Sequence, residues 1–260
     1  MSPPQVRVHR DAAALAEAVA DRLVTQVVAA QAARGSAALV LTGGGVGTAV
    51  LAVLATAQAR SSIDWRRLDL WWGDERFLPA GHPDRNHTQA RAALLDAVPL
   101  DAARVHPMPA SDGPDGSDPE AAAQRYAAEL AAAAEPGSHW RAPTFDVLLL
   151  GVGPDGHVAS LFPEQAALYE TVRTVVGVRG APKPPPQRIT MTMPTIASAT
   201  QVWLIAAGAE KAAAIRLALS GAGVVQVPAA GARGRGRTLV LLDEAAAAAL
   251  PPGLDRIASQ

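Results

Sequence analysis

The chain contains no cysteine. Disulfides, thiolate-held metals and cysteine nucleophiles are thereby excluded. Nor does it hold a run of about 18 uncharged apolar residues, the length a membrane-spanning helix requires. The opening segment, Met1-Ser-Pro-Pro-Gln-Val-Arg-Val-His-Arg10, lacks the apolar stretch of a secretory signal, so a cytoplasmic location is expected. Charge of one sign is missing as well. A formal net charge of −1 supplies no general field for nucleic acid or an anionic membrane, and neither is expected as a partner. No internal repeat or interdomain linker interrupts the chain. Its 260 residues are enough for one substantial core, and a single α/β domain over residues 1–260 is expected. No long apolar stripe is left over for an obligate interface, which points to a monomer. The abundant alanine reflects composition and helix propensity rather than activity.

What is present alternates. Asp11 can cap a helix whose Leu15, Val19, Leu23 and Val27 share one face. Residues 37–41 read as a strand, and Val46, Val50 and Leu54 line a second helix. Residues 68–72 form the next strand, followed by a helix over 86–97 and a short strand over 104–108. The segment 111–117 is a loop by composition. Asp118-Pro-Glu120 opens a further helix with a cap, a first-turn proline and an acid near the helix dipole. Residues 147–150 are a buried strand, 175–178 and 188–193 a strand pair around a Pro-rich turn, and 202–207 a strand. A helix from Glu210 and a strand over 238–242 complete the order. Strands alternating with helices predict a mostly parallel, doubly wound sheet.

In such a sheet, ligands bind outside the carboxyl ends of the strands. The strand at 147–150 runs into Gly151-Val-Gly-Pro-Asp-Gly-His157, which places a carboxylate, Asp155, and an imidazole, His157, on a sharp turn. The letters satisfy the dinucleotide pattern G-x-G-x-x-G, but that pattern needs a helix opening on a pyrophosphate. Here Pro163 cuts the following stretch short, and Asp155 would repel the phosphate. Ser160 lacks the G-x-S-x-G elbow of an exposed nucleophile, so a structural serine is expected.

Three other loops carry chemistry. Thr42-Gly-Gly-Gly-Val-Gly47 passes straight into a helix and offers amides and a helix dipole to a phosphate monoester. It lacks the lysine of a Walker loop, and a plain tight turn is the alternative. In Trp72-Gly-Asp-Glu-Arg76, Asp74 and Arg76 are either a structural ion pair or substrate ligands, because charge at a strand end is costly if unpaired. His82 and His87 fit no metal-ligand spacing, and no metal is expected. In Gly180-Ala-Pro-Lys-Pro-Pro-Pro-Gln-Arg188, stiffening prolines could preset Lys183 and Arg188 as an anion clamp, or simply make a rigid solvated loop. Lys211 at a helix start is unfavourable unless an anion compensates it. The Arg-rich run 233–237 reads as a solvated loop.

Together, Gly151-Val-Gly-Pro-Asp-Gly-His-Val-Ala-Ser-Leu-Phe-Pro163, Asp74-Glu-Arg76 with Pro79 and Asn86, Pro182-Lys-Pro-Pro-Pro-Gln-Arg-Ile-Thr-Met-Thr192 and Gly208-Ala-Glu-Lys-Ala212 resemble the glucosamine-6-phosphate isomerase/6-phosphogluconolactonase family. The Ser-Leu-Phe-Pro ending is similar to its lactonases rather than its deaminases. The resemblance implies a Rossmann-like doubly wound fold with helices on both faces. It also implies a phosphorylated sugar lactone as substrate, hydrolysed in the oxidative pentose phosphate pathway without metal or cofactor. It makes His157 the catalytic base, puts Asp155 and Asp74 in the site, and makes Arg76 a substrate contact. Thr42, Gly43, Gly44, Gly45, Asn86, Lys183, Arg188 and Lys211 would then hold the phosphorylated substrate. Gly45-Val46 departs from the hydroxyl residue and proline common at this place, leaving phosphate binding more to amides and lysines. A deaminase-like isomerase and a non-catalytic sugar-phosphate binder are the alternatives.

Overall fold

A computed structural model of the protein describes residues 3–251 and the strand Arg256–Ala258. Met1, Ser2 and the far end of the expected 1–260 domain lie outside the described residues. The order opens with β1 (Gln5–His9), α1 (Ala12–Arg34), β2 (Ala37–Leu41), α2 (Gly44–Thr56), β3 (Leu68–Trp72) and β4 (Asp74–Arg76). It continues with α3 (Asn86–Ala93), α4 (Pro119–Ala132), β5 (Val147–Gly151), β6 (Val175–Val178) and β7 (Arg188–Met191). The last elements are α5 (Met193–Ala197), β8 (Gln201–Ala206), α6 (Ala212–Leu219), β9 (Arg237–Asp243) and β10 (Arg256–Ala258).

Seven strands form one parallel sheet in the order β10-β1-β9-β8-β5-β2-β3. From β2 the chain moves one way to β3, then returns to build β5, β8 and β9 on the other side. The switch point therefore lies between β2 and β5, where a crevice opens beyond the strand ends. Both strands are apolar throughout because both faces are covered: residues 37–41 and 147–150 are buried without exception. Helix α1 buries Leu15, Val19, Leu23 and Val27. Asp11 caps it by accepting from the Ala14 amide at 2.8 Å, and Gly35 closes it with φ 81°. Asp118 caps α4 in the same way, with Pro119 in the first turn.

Two sequence expectations change. Residues 104–108 are not a strand: a 3₁₀ turn at 102–104 precedes a segment whose backbone pairs with β3 only at the Leu70–Val105 bridge. Pro107 and Pro109 remove the donors that a ladder would need. The helix expected over 86–97 ends at Ala93, because Leu94 leaves helical backbone (φ −148°) and a 3₁₀ turn follows. That break lets Leu94 and Leu95 both be buried.

Three charged residues also form an unexpected strand. β4 pairs antiparallel with β7, which pairs with β6, in a second small sheet. Its register sets Asp74 opposite Thr190 and Arg76 opposite Arg188.

Candidate active site

At the switch point lies a cleft of about 200 Å³. The turn after β5 forms one wall. Its backbone folds on itself through Gly153 N–H to His157 O (2.9 Å) and Gly156 N–H to Gly153 O (2.9 Å), with Gly156 at φ 82°. This brings His157 Nδ1 to 2.5 Å from Asp155 Oδ1. Gly153 makes the room: a Cβ there would sit 2.0 Å from His157 Nδ1 and 2.5 Å from Asp155 Oδ1. With Nδ1 donating to the carboxylate, Nε2 is the free acceptor of the neutral ring. Phe162 packs against the ring at 4.6 Å between centroids. Burial alone would raise the Asp155 carboxyl. The hydrogen bond from His157, its charge and the Lys183 ammonium outweigh burial and hold Asp155 well below the usual carboxylate range.

The opposite wall comes from β4. Asp74 is buried, with Oδ2 accepting from Ser160 Oγ at 2.6 Å and its carbonyl accepting from Asn86 Nδ2 at 2.9 Å. Ser160 is itself fully buried, the structural serine expected, and it ties the His157 turn to Asp74. Glu75 faces the other way. Its carboxylate accepts from the amides of Asn86 (2.7 Å) and His87 (3.0 Å) at the start of α3 and lies 3.5 Å from Arg85. Sequence reading gave Glu75 and Arg85 no part, yet they fix the helix that presents Asn86.

The floor is the glycine loop. Helix α2 begins at Gly44, and its N-cap, Gly43, makes no side-chain capping bond. Gly43 is where Asn86 packs: a Cβ there would lie 1.8 Å from Asn86 Oδ1. Asn86 Oδ1 is buried and has no hydrogen-bond partner among the described residues. Thr42 Oγ1 accepts from the Gly151 amide at 3.3 Å, joining the loops after β2 and β5. Gly44 and Gly45 have open space on the side where a Cβ would stand.

Four cations line the cleft, Arg76, Lys183, Arg188 and Lys211, against the single carboxylate of Asp74. Each is placed differently. Arg76 donates to the Asp84 carbonyl at 2.7 Å. Lys211 has Glu210 at 3.7 Å as the compensating anion its position demands. The turn before it is held by Asp243, whose carboxylate accepts from the Gly208 amide at 3.1 Å.

Arg188 and Lys183 do not form a simple clamp. Arg188 is buried, and a buried guanidinium must place its donors. It spends them on the proline turn, reaching the carbonyls of Lys183 (3.1 Å), Pro184 (2.9 Å) and Pro185 (3.1 Å). Lys183 Nζ turns to Asp155 Oδ1 at 3.4 Å and lies 3.5 Å from His157 Nδ1.

All the site residues read from sequence line this cleft except Asp155, which stands behind His157. His82 and His87 do not join it. His82 accepts from the Asp84 amide, whereas His87 packs edge-on to Trp72 at 5.2 Å. Burial, with Arg85 and Arg91 nearby, pushes His87 down to about 4. Among the described residues, no group of three or more His, Asp or Glu side chains is placed to hold a metal, and no helix is long and apolar enough to cross a membrane.

A doubly wound sheet with a carboxylate–imidazole pair and a cationic, glycine-floored cleft at its switch point defines an α/β protein with an acid–base site suited to an anionic ligand. Comparison with known proteins narrows the class. Residues 10–240 match the model of the glucosamine-6-phosphate isomerases/6-phosphogluconolactonase family. A 6-phosphogluconolactonase of Streptomyces coelicolor is 65% identical over 251 residues, covering 96% of this chain and 96% of that protein. The 6-phosphogluconolactonase of Trypanosoma brucei superposes with a TM-score of 0.82 at 30% identity, over 96% of this chain and 100% of that one. A monomeric glucosamine-6-phosphate deaminase shares the fold, with a TM-score of 0.75 at 20% identity over 94% of this chain and 99% of its own. The chain belongs to the glucosamine-6-phosphate isomerase/6-phosphogluconolactonase family.

Proposed function

We propose that the cleft hydrolyses 6-phospho-D-glucono-1,5-lactone to 6-phospho-D-gluconate, the lactone-opening step of the oxidative pentose phosphate pathway, with His157 activating the water. The Asp155–His157 pair facing an uncapped helix N-terminus across one cationic cleft is the observation that carries this reading.

A δ-lactone is an activated ester and needs no covalent nucleophile. Nε2 of His157 takes a proton from water as the oxygen bonds to the lactone carbonyl carbon. Asp155 orients the ring and favours the imidazolium as it forms. Negative charge grows on the carbonyl oxygen, and Arg76 is the donor at hand. As the tetrahedral centre collapses, the bond to the ring oxygen breaks and the imidazolium returns its proton to that oxygen. The amides of Thr42, Gly43, Gly44 and Gly45, with Lys211, take the phosphate. Asp74 is the acceptor for sugar hydroxyls. No metal or cofactor enters any step.

The test is hydrolysis of fresh 6-phosphogluconolactone near neutral pH, with spontaneous opening subtracted. Wild type is expected to turn it over, and His157→Ala to lose at least about a hundredfold in kcat. Near-normal turnover by His157→Ala would remove the mechanism. Release of ammonia from glucosamine 6-phosphate by wild type would favour a deaminase instead.

A further inference from the structure

Lys183 occupies a place that phosphate binding does not explain. Its ammonium is 3.4 Å from Asp155 Oδ1, the same oxygen that His157 Nδ1 meets at 2.5 Å. One carboxylate oxygen thus serves two cation-capable groups. The backbone beneath Lys183 is pinned, since Arg188 grips the carbonyls of Lys183 and Pro184. The side chain itself is outside that grip and 39% exposed. The glycine loop lines the same cleft.

We propose that Lys183 is a positioning residue for the Asp155–His157 pair: before substrate binds, its ammonium offsets Asp155, and the substrate phosphate then draws it away, releasing the carboxylate to act on His157 alone. This rests on the lactonase reading given above and adds to it.

The logic is electrostatic. A cation 3.5 Å from the ring opposes Asp155, which favours the imidazolium, so the two charges offset each other at the ring. Once Lys183 pairs with phosphate, the full charge of Asp155 stabilises the imidazolium at the moment it forms. The groups facing the ring are few. Asp155 lies on its own turn and Lys183 on the proline turn. Arg188 stands against Phe162, 5.6 Å from that ring, while Arg76, Asp74 and Lys211 lie along the cleft walls. The Lys183 charge also contributes to holding Asp155 ionised, in keeping with this contact. An unphosphorylated lactone would leave Lys183 on the pair, so it should be turned over more slowly once bound, as well as bound more weakly.

The experiment compares wild type, Lys183→Met and Lys183→Arg in two measurements. The first is the pH profile of kcat/KM, whose acid limb reports the free enzyme. Loss of the cation is expected to move that limb up by roughly one pH unit in Lys183→Met, whereas Lys183→Arg keeps it near wild type. The second is NMR titration of the His157 ring without substrate, with and without inorganic phosphate as the probe. Phosphate is expected to move the titration upward more in wild type than in Lys183→Met. A Lys183→Met enzyme with raised KM but an unmoved acid limb and an unchanged ring titration would make Lys183 a phosphate ligand only, and overturn the proposal. If wild type hydrolyses no lactone, the proposed function falls. The NMR comparison still decides, without turnover, whether Lys183 governs the pair.

Discussion

A methyl group at position 153 would stand 2.0 Å from the ring nitrogen that His157 turns towards Asp155. The backbone of Gly153 does not lie in the left-handed region, so alanine costs nothing there in conformation. What it costs is the pair itself: either the ring or the carboxylate must leave. Gly153→Ala is therefore expected to keep the fold by circular dichroism while kcat falls about a hundredfold, the scale of losing general acid–base help. Full activity in that variant would show that the 2.5 Å contact is dispensable. Lys211 is a different case, because in the proposed reaction its charge meets the phosphate, a part of the substrate that does not react. Lys211→Ala should raise KM for the phosphorylated lactone more than it lowers kcat, as loss of uniform binding requires. A fall confined to kcat would place Lys211 at the reacting centre instead.

Among the elements, β3 and α4 are joined by a histidine outside the cleft. His106 stacks on Trp71 of β3 at 3.8 Å, and its Nδ1 lies 2.6 Å from Glu129 of α4, with Asp69 of β3 at 3.7 Å from Nε2. Burial alone would lower it, but the hydrogen bonds and charges of Asp69 and Glu129 prevail and raise it to about 9. A group raised in the folded state stabilises fully below its unfolded value, near 6.5, and loses that contribution as pH climbs through 9. Stability is expected to fall by about 3 kcal/mol or less between pH 6.5 and 9 through this residue, and His106→Gln should flatten the slope. Denaturant titrations across that range check it, and an equal slope in both proteins would rule it out. The helices were legible because caps and apolar faces are properties of one segment, as Asp11 and Leu15 to Val27 show. β4 was not, since Asp-Glu-Arg reads as loop. It becomes a strand only because β7, far along the chain, supplies its partner. The same reason hid the disposition of Arg188 and Lys183. Their types marked a site, but which carbonyls and which carboxylate they would meet depends on loops that only the fold assembles.

At the scale of the whole molecule, net charge and site charge tell different stories. The chain is nearly neutral, yet four of its cations converge where β2 and β5 part. Attraction for an anionic ligand is thus local and owes nothing to a general field. The same convergence makes the cleft depend on distant segments, because residues from the loops after β2, β3, β5 and β8 and from the proline turn must all be in place. One hydrophobic cluster runs from Val6 through both sides of the switch point to Leu250. We propose that the chain unfolds as one unit. Trp71 and Trp72 in β3 and Trp203 in β8 are fully buried on opposite sides of the switch point, so tryptophan fluorescence samples both halves of the sheet. Fluorescence and far-ultraviolet circular dichroism should give coincident denaturant transitions. Added 6-phosphogluconate should move both together, by about 2.7 kcal/mol at a hundredfold excess over its Kd. Separate transitions, or a ligand shift confined to one probe, would instead mean that the two halves fold independently and that the cleft is assembled only when they dock.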